Sequence, residues 1–254
     1  MGMRFIIDGL PRTGSTSLAR MLSCHRSISC MIEPFHPSRY GGQYRQHVRD
    51  SISLQQTLDL IWLRWVGIKH VWEAPTNWPF ESEPILNEEL IRCAPAVISI
   101  ERRNLLQRYI SSLLSRRLRF WIGTKAEFLR RLETTGFPEL NVEQIREAIA
   151  IDLDAIKRRR LLLSSVHSKF MFVNYEDLFG DGVAEADQVS HVNHILRFLG
   201  HSELTPSECL QQEWKESADS TIAKWNTVDI YSRIPGIHRI EATIGSDETG
   251  WLFR

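Results

Sequence analysis

The chain has 254 residues, which is enough for one α/β domain with a fully buried core. Its 31 Lys plus Arg residues balance its 31 Asp plus Glu residues, so the formal charge is zero and excludes nucleic-acid binding driven by bulk charge. The opening MGMRFIIDGL has too few apolar residues for a secretory leader or membrane anchor, and the apolar runs elsewhere are also short. The four cysteines form no C-x-x-C pair. We therefore expect a cytoplasmic protein with reduced thiols and no integral membrane segment.

Short apolar segments alternate along the chain with segments of helical periodicity. The predicted strands are Arg4–Asp8, Ile28–Ile32, Gly67–Glu73, Ala96–Ile100 and Lys169–Asn174. The predicted helices are Ser15–Ser23, Leu54–Val66, Glu83–Cys93, Asn104–Phe120, Val142–Ser164 and Val189–Leu199. After Thr205 the composition is polar and no clear period is evident. The alternation predicts an α/β class, with one three-layer αβα domain over residues 1–254 built on a mostly parallel central sheet. Ligands of such sheets bind at the carboxyl ends of the strands.

A glycine-rich loop follows the first predicted strand. Residues 9–16 read GLPRTGST, which has the G-x-x-x-x-G spacing of a phosphate-binding loop followed by two hydroxyl residues. Such a loop directs backbone N–H groups inward, and the helix behind it adds a partial positive charge. NTP-hydrolysing loops carry a lysine after the second glycine, whereas this chain has Ser15 there and a cation, Arg12, inside the loop. The loop therefore predicts a phosphate site and disfavours a kinase or GTPase.

The same loop resembles that of the sulfotransferases that use 3′-phosphoadenosine-5′-phosphosulfate (PAPS). Their P-[KR]-[ST]-G-[ST]-[ST] motif matches residues 11–16 at every position. The family binds the 3′-phosphate with an arginine at a strand end and a serine eight residues later, which Arg103 and Ser111 match. Eight helical residues span about 12 Å, so a long guanidinium that folds back reaches a phosphate shared with the serine. Together the two motifs indicate a bisphosphorylated adenosine that carries sulfate.

Further similarities favour the bacterial and carbohydrate branch of that family, which includes the trehalose and lipo-oligosaccharide enzymes. Met31 to Phe35 is similar to its glutamate-proline segment, and Arg102 to Asn104 with Gln107 resembles the corresponding helix start. Val173 to Leu178 is similar to the Y-E-D-L that closes a late strand in many members. The R-K-G-x-x-G-D-W-K loop of the cytosolic aryl and steroid enzymes has only a faint counterpart, in Ile244 to Asp247.

The resemblance implies transfer of a sulfuryl group from PAPS to an acceptor hydroxyl, with 3′,5′-bisphosphoadenosine (PAP) as product and without a metal. The implied cofactor-binding residues are Pro11, Arg12, Thr13, Gly14, Ser15, Thr16, Ser17, Arg103 and Ser111. Arg12 would also neutralise the leaving group, and Glu33 is the first candidate for the catalytic base. His36 is the second candidate, and its alternatives are to hold the acceptor, to orient Glu33 or to be an exposed loop residue.

Several alternatives stay open at this point. The glutamate-proline segment favours a carbohydrate or glycolipid acceptor, and a hydroxylated lipid or polyketide-type metabolite comes next. The loop has three alternative interpretations. They are a small-molecule kinase with a P-loop, a non-catalytic nucleotide-binding protein of the same fold, and a glycine turn without a ligand. Four tryptophans near the predicted acceptor side either stack on a sugar or pack in the core: Trp62, Trp65, Trp72 and Trp78. The apolar helix faces are compatible with a homo-oligomer.

Overall fold

The computed structural model of the chain describes residues 2–36, 39–72, 86–121, 123–166, 169–218 and 228–253. These residues form two compact units. The first unit comprises Met1–Glu101 with Arg160–Ala218, and the second comprises Arg102–Arg159 with Asp219–Arg254. The organisation as a single domain stays a prediction.

A five-stranded parallel sheet forms the centre of the first unit. Its strands are β1 (Phe5–Gly9), β2 (Cys30–Ile32), β3 (Gly67–Val71), β4 (Ala96–Glu101) and β5 (Lys169–Asn174). The strand order is β2-β3-β1-β4-β5, and every neighbouring pair is parallel. All residues of β1 and β4 are buried, as expected for parallel strands that are covered on both faces. Helices flank the sheet, so the predicted α/β class with a parallel central sheet is confirmed.

The six predicted helices are present, and their ends lie within four residues of the predicted positions. The structure also contains helices that were not predicted. In the first part of the chain the helices are α1 (Ser15–Ser23), α2 (Gln43–His47), α3 (Ser51–Trp62), α4 (Leu86–Cys93), α5 (Leu105–Leu118), α6 (Lys125–Thr135) and α7 (Val142–Ser165). After β5 they are α8 (Tyr175–Phe179), α9 (Glu185–Phe198), α10 (Pro206–Cys209), α11 (Gln212–Ala218), α12 (Val228–Ser232) and α13 (Ile237–Ile244). None of the helices in the described ranges has the length and hydropathy that crossing a membrane requires.

The prediction that the chain lacks helical periodicity after Thr205 is wrong. Helix α13 buries Ile237, Ile240 and Ile244, which are spaced by three and four residues as on one face of a helix. The pattern is short because α13 has only eight residues, and four of the other five residues are polar. Helices α2, α6 and α8 were also not predicted from the sequence.

The core of the first unit packs α1 and α9 against one face of the sheet. Leu18 and Leu22 of α1 are fully buried in the same cluster as Phe5, Ile7 and Ile98 of the central strands. Burial of one Leu side chain contributes about 1.5–3 kcal/mol. This packing fixes the direction in which the chain leaves β1 and enters α1.

The second unit has its own core around α5. Leu106 and Ile110 of α5 pack in one buried cluster with Phe128, Ile230 and Ile237. The N-terminus of α5 is capped by Asn104, whose side chain accepts a hydrogen bond of 2.9 Å from the backbone N–H of Gln107. A side-chain cap therefore fixes the start of α5, the helix that is predicted to contribute to the 3′-phosphate site.

A buried ion pair lies within the second unit. Arg108 on α5 pairs with Asp152 on α7, and both residues are buried. Burial, followed by the charges of Arg102 and Arg116, lowers the pKa of Arg108 to about 10. The Asp152 carboxylate offsets the free-energy cost of removing the Arg108 guanidinium from water.

Asp152→Asn should lower the free energy of unfolding by about 3–5 kcal/mol, because it removes the compensating charge and leaves the side-chain volume almost unchanged. The control is Glu143→Gln, which breaks the exposed pair between Glu143 and Arg146 and should cost less than about 1 kcal/mol. Urea denaturation measures both values. Equal costs for the two variants would contradict a stabilising role of the buried pair.

Candidate functional site

The predicted phosphate loop lies at the carboxyl end of β1, in the middle of the sheet. Arg12 has a φ of 67° and Gly14 a φ of 80°, so two loop residues have left-handed backbone conformations. Thr13 is buried, and its hydroxyl donates a hydrogen bond of 2.8 Å to the carbonyl of Leu10. A non-glycine residue in this region costs about 1–3 kcal/mol, and such strain is concentrated at functional sites. Arg12 is therefore part of the tight turn itself.

Helix α1 begins directly behind this loop. Its N-cap is Gly14, which has no side chain to cap the helix, and the described structure shows no side-chain cap hydrogen bond there. The first N–H groups of a helix have no partner within the helix, and they carry the positive end of the helix dipole. The loop and the first turn of α1, which contains Ser15, Thr16 and Ser17, therefore have the chemistry of an anion site.

Both loop glycines are required by close contacts. A Cβ at Gly9 would lie 2.8 Å from the carbonyl oxygen of Ile100, and one at Gly14 would lie 2.9 Å from the rings of Phe179 and Tyr175. These two aromatic residues are on α8, with ring centroids 5.4 Å apart. The Y-E-D-L segment that the sequence analysis singled out therefore packs against the phosphate loop.

Glu33, the predicted base, follows the last residue of β2. Its φ of 51° is unusual for a residue with a side chain. Its backbone N–H donates a hydrogen bond of 2.7 Å to the carbonyl of Lys69, and its Oε1 accepts a hydrogen bond from Lys69 Nζ. The second oxygen, Oε2, lies 4.0 Å from Nε of Arg39. The carboxylate is thus bound by Lys69 and remains about one-fifth accessible, with a side-chain exposure of 19%.

Lys69 is a residue of this site that the sequence analysis missed. It lies inside β3, and its side chain is only 3% exposed. Lysine is almost never fully buried unless it is paired. Its presence in the apolar segment GIKHV was the available signal, and a strand assignment alone passes over it.

The electrostatic effects connect these residues into one group. Burial would raise the pKa of Glu33, but the charge and hydrogen bond of Lys69, with His36 and Arg39, outweigh it and lower that pKa. Burial lowers the pKa of Lys69, Glu33 opposes this change, and the charges of Arg39 and Arg12 lower it further. We name Arg12, Glu33, His36, Arg39 and Lys69 the strand-end cluster.

The strand-end cluster has an excess of positive charge. Among the described residues that make it up, Arg12, Arg39 and Lys69 are cations and Glu33 is the carboxylate. An excess of this sign favours an anionic ligand, and guanidinium groups suit phosphate and sulfate oxygens. Within the described residues, no group of three or more His, Cys, Asp or Glu side chains is arranged to hold a metal ion.

Arg103 and Ser111 belong to the second unit. Arg103 precedes the N-cap of α5 and is exposed, whereas Ser111 lies two turns into the helix and is buried. The neighbouring Arg102 is buried, and its guanidinium donates a hydrogen bond of 2.9 Å to Oε1 of Gln107. Arg103 is therefore the more accessible arginine of the two.

The tryptophans of the predicted acceptor side divide by burial. Trp62 and Trp72 are buried, as in core packing, and Trp65 is half-buried. Trp78 lies outside the described residues. Trp62 and Trp72 therefore have little exposed ring surface on which a sugar could stack.

Gly14→Ala should destabilise the protein by about 2–5 kcal/mol, the sum of the cost of a left-handed φ and of overpacking against the α8 rings. The matched control is Gly182→Ala, because Gly182 has a φ of 81° and nothing within 4 Å of the added Cβ. It should show only the backbone cost of about 1–2 kcal/mol. Thermal or urea unfolding measures the difference, and equal losses would mean that α8 does not hold the loop.

Comparison with known proteins finds similar chains among the solved structures. No family model and no curated protein matches the sequence. The chain is similar to the crystal structure of a sulfotransferase from Alicyclobacillus acidocaldarius, with a TM-score of 0.47 and 20% sequence identity over 96% of both chains. A similarity at this TM-score and identity assigns no role to individual residues.

Proposed function

We propose that this protein transfers a sulfuryl group from PAPS to a hydroxyl of an acceptor, with a carbohydrate or glycolipid as the favoured acceptor class. The observation that carries the proposal is the strand-end cluster. It combines a cation in the glycine loop, Arg12, with a buried cation, Lys69, and with a partly accessible carboxylate, Glu33. Sulfuryl transfer needs these three elements, which are an anion site, charge compensation and a proton acceptor.

The proposed reaction is a displacement at sulfur. The acceptor oxygen forms a bond to sulfur while the bond between sulfur and the bridging phosphate oxygen breaks, and that oxygen keeps the electron pair. The acceptor proton passes to the Glu33 carboxylate. Arg12 compensates the charge that develops on the leaving phosphate, and residues 13–17 hold the 5′-phosphate through N–H and hydroxyl groups. Positioning and charge compensation supply most of the rate enhancement, as in phosphoryl transfer.

The loop chemistry supports PAPS over a nucleoside triphosphate. Ser15 stands where NTP-hydrolysing loops have their lysine, and it is buried at the start of α1. The sequence motif of Arg103 and Ser111 further supports a donor with a 3′-phosphate. We therefore expect PAP to raise the melting temperature more than ATP with magnesium does, because a ligand that binds the native state stabilises it.

Arg103→Ala should weaken PAP binding about 10- to 100-fold and leave AMP binding almost unchanged, because AMP lacks the 3′-phosphate. The magnitude corresponds to the 1.5–3 kcal/mol of a hydrogen bond to a charged group. Isothermal titration calorimetry measures both dissociation constants. The control is Arg116→Ala, an exposed arginine on α5, which should leave PAP binding intact. Equal losses for PAP and AMP would contradict the assignment.

Glu33→Gln should keep PAP affinity within about threefold and lower sulfuryl transfer about 10²- to 10⁴-fold, because the amide cannot accept the proton. The amide oxygen still accepts a hydrogen bond from Lys69, so the fold should be retained. Transfer is measured as PAP release from PAPS with a panel of mono- and disaccharide acceptors. The parallel variant is His36→Gln. If only His36→Gln lost transfer, the base would be His36 and the assignment of Glu33 would be wrong.

A further inference from the structure

We propose that Lys69 is a positioning residue for the reaction, one that fixes the direction and the ionisation of the Glu33 carboxylate. This inference rests on the proposed function, in which Glu33 accepts the acceptor proton. Lys69 is 36 residues away from Glu33 in the chain, and the pairing of β2 with β3 brings the two residues together.

Two hydrogen bonds join Glu33 to Lys69. The backbone N–H of Glu33 donates to the Lys69 carbonyl at 2.7 Å, and the Glu33 carboxylate accepts from Lys69 Nζ. A φ of 51° at Glu33 turns the chain immediately after β2. Because both the backbone and the side chain of Glu33 are bound to one residue, the carboxylate has little freedom to rotate away from the strand ends.

The burial of Lys69 argues for a role beyond stability. Its side chain is 3% exposed, so its charge has lost almost all contact with water. A hydrophobic residue of similar volume is often as stable at such a position, because desolvation of a buried ion pair offsets its attraction. The pair therefore has its main effect on Glu33, which it keeps ionised and directed.

The surrounding charges act in the same direction. Lys69 on β3 and His36 and Arg39 in the segment after β2 all lower the pKa of Glu33. Arg12, from the loop after β1, acts on Lys69. When Glu33 takes up the acceptor proton, its negative charge disappears, and Arg12, Arg39 and Lys69 no longer have a compensating carboxylate in the cluster. The positive excess of the cluster thus increases while the leaving phosphate gains negative charge, which favours bond cleavage.

The test compares Lys69→Met, which removes the charge and keeps the length, with Lys69→Arg, which keeps the charge. The first readout needs no substrate: ¹³C NMR titration of glutamate carboxyl groups, with the Glu33 signal assigned by its loss in Glu33→Gln. In the wild-type protein the pKa of Glu33 should lie below its ordinary value. In Lys69→Met it should rise by about one unit or more, because burial is no longer outweighed. In Lys69→Arg it should stay low.

The second readout is the pH dependence of kcat for PAPS-dependent transfer. A base must be ionised to act, so the rate is lost as the pH falls through the pKa of Glu33. Lys69→Met should therefore move the acid limb of the profile to higher pH by the same amount as the NMR titration. A residue with a merely structural role would lower kcat at every pH and leave the limb in place.

Arg39→Met is the matched control, because Arg39 is 4.0 Å from the carboxylate and 42% exposed, and solvent screens its charge. Its effect on the Glu33 pKa should be clearly smaller than that of Lys69→Met. If Lys69→Met fails to fold by circular dichroism, Lys69→Gln replaces it, since the amide still donates to Glu33 without a charge. Either neutral variant with an unmoved Glu33 pKa and an unmoved acid limb overturns the proposal.

Failure of the proposed function gives a different pattern. A wild-type protein that neither binds PAP nor transfers sulfuryl groups overturns the proposed function and the catalytic role of Lys69 with it, whatever the NMR titration shows. Transfer that depends on Glu33 and is accompanied by an unmoved pKa in Lys69→Met overturns only the role of Lys69. The two failures are therefore distinguishable.

Discussion

The site depends on the absence of side chains at two positions next to the end of β1. Gly9 lies against the carbonyl of Ile100 in the neighbouring strand, and Gly14 lies against the rings of Tyr175 and Phe179. Each contact excludes a Cβ, so the chain passes from strand to helix in a tight turn. That turn determines where the α1 N-terminus begins and where Arg12 leaves the loop. The anion-binding role proposed for the loop thus depends on close packing around its backbone.

The site also depends on a local excess of positive charge. The chain as a whole has no net charge, and its site nevertheless combines three cations with one carboxylate among the residues of the strand-end cluster. Burial makes the charges of Lys69 and Glu33 more effective, because water screens them poorly inside the protein. A bound anion would lower the cost of holding Lys69 and Arg12 close together, so ligand binding and local stability are linked at this site.

The parallel sheet explains why these residues meet. In the order β2-β3-β1-β4-β5 the strands that precede Glu33 and the loop lie on either side of β3, which carries Lys69. Parallel strands end at the same edge of a sheet, so residues from distant parts of the chain converge there. The same packing places α8 against Gly14, which gives the Y-E-D-L segment a structural role in holding the loop.

The sequence by itself determined the strands, the helix α1 and the glycine loop that joins β1 to α1, because apolar periodicity and glycine spacing are local properties. It also predicted Arg12 and Glu33 as site residues, the first through the loop motif and the second through the family resemblance. Only the tertiary structure decided that Lys69 binds Glu33, that Glu33 has a left-handed backbone and that Phe179 packs on Gly14. These contacts join residues from different strands and helices, and a lysine inside an apolar strand reveals its partner only when strand pairing brings the two together. The physical reason is that charge pairing and steric exclusion depend on distance in space, which the local pattern of residues does not contain.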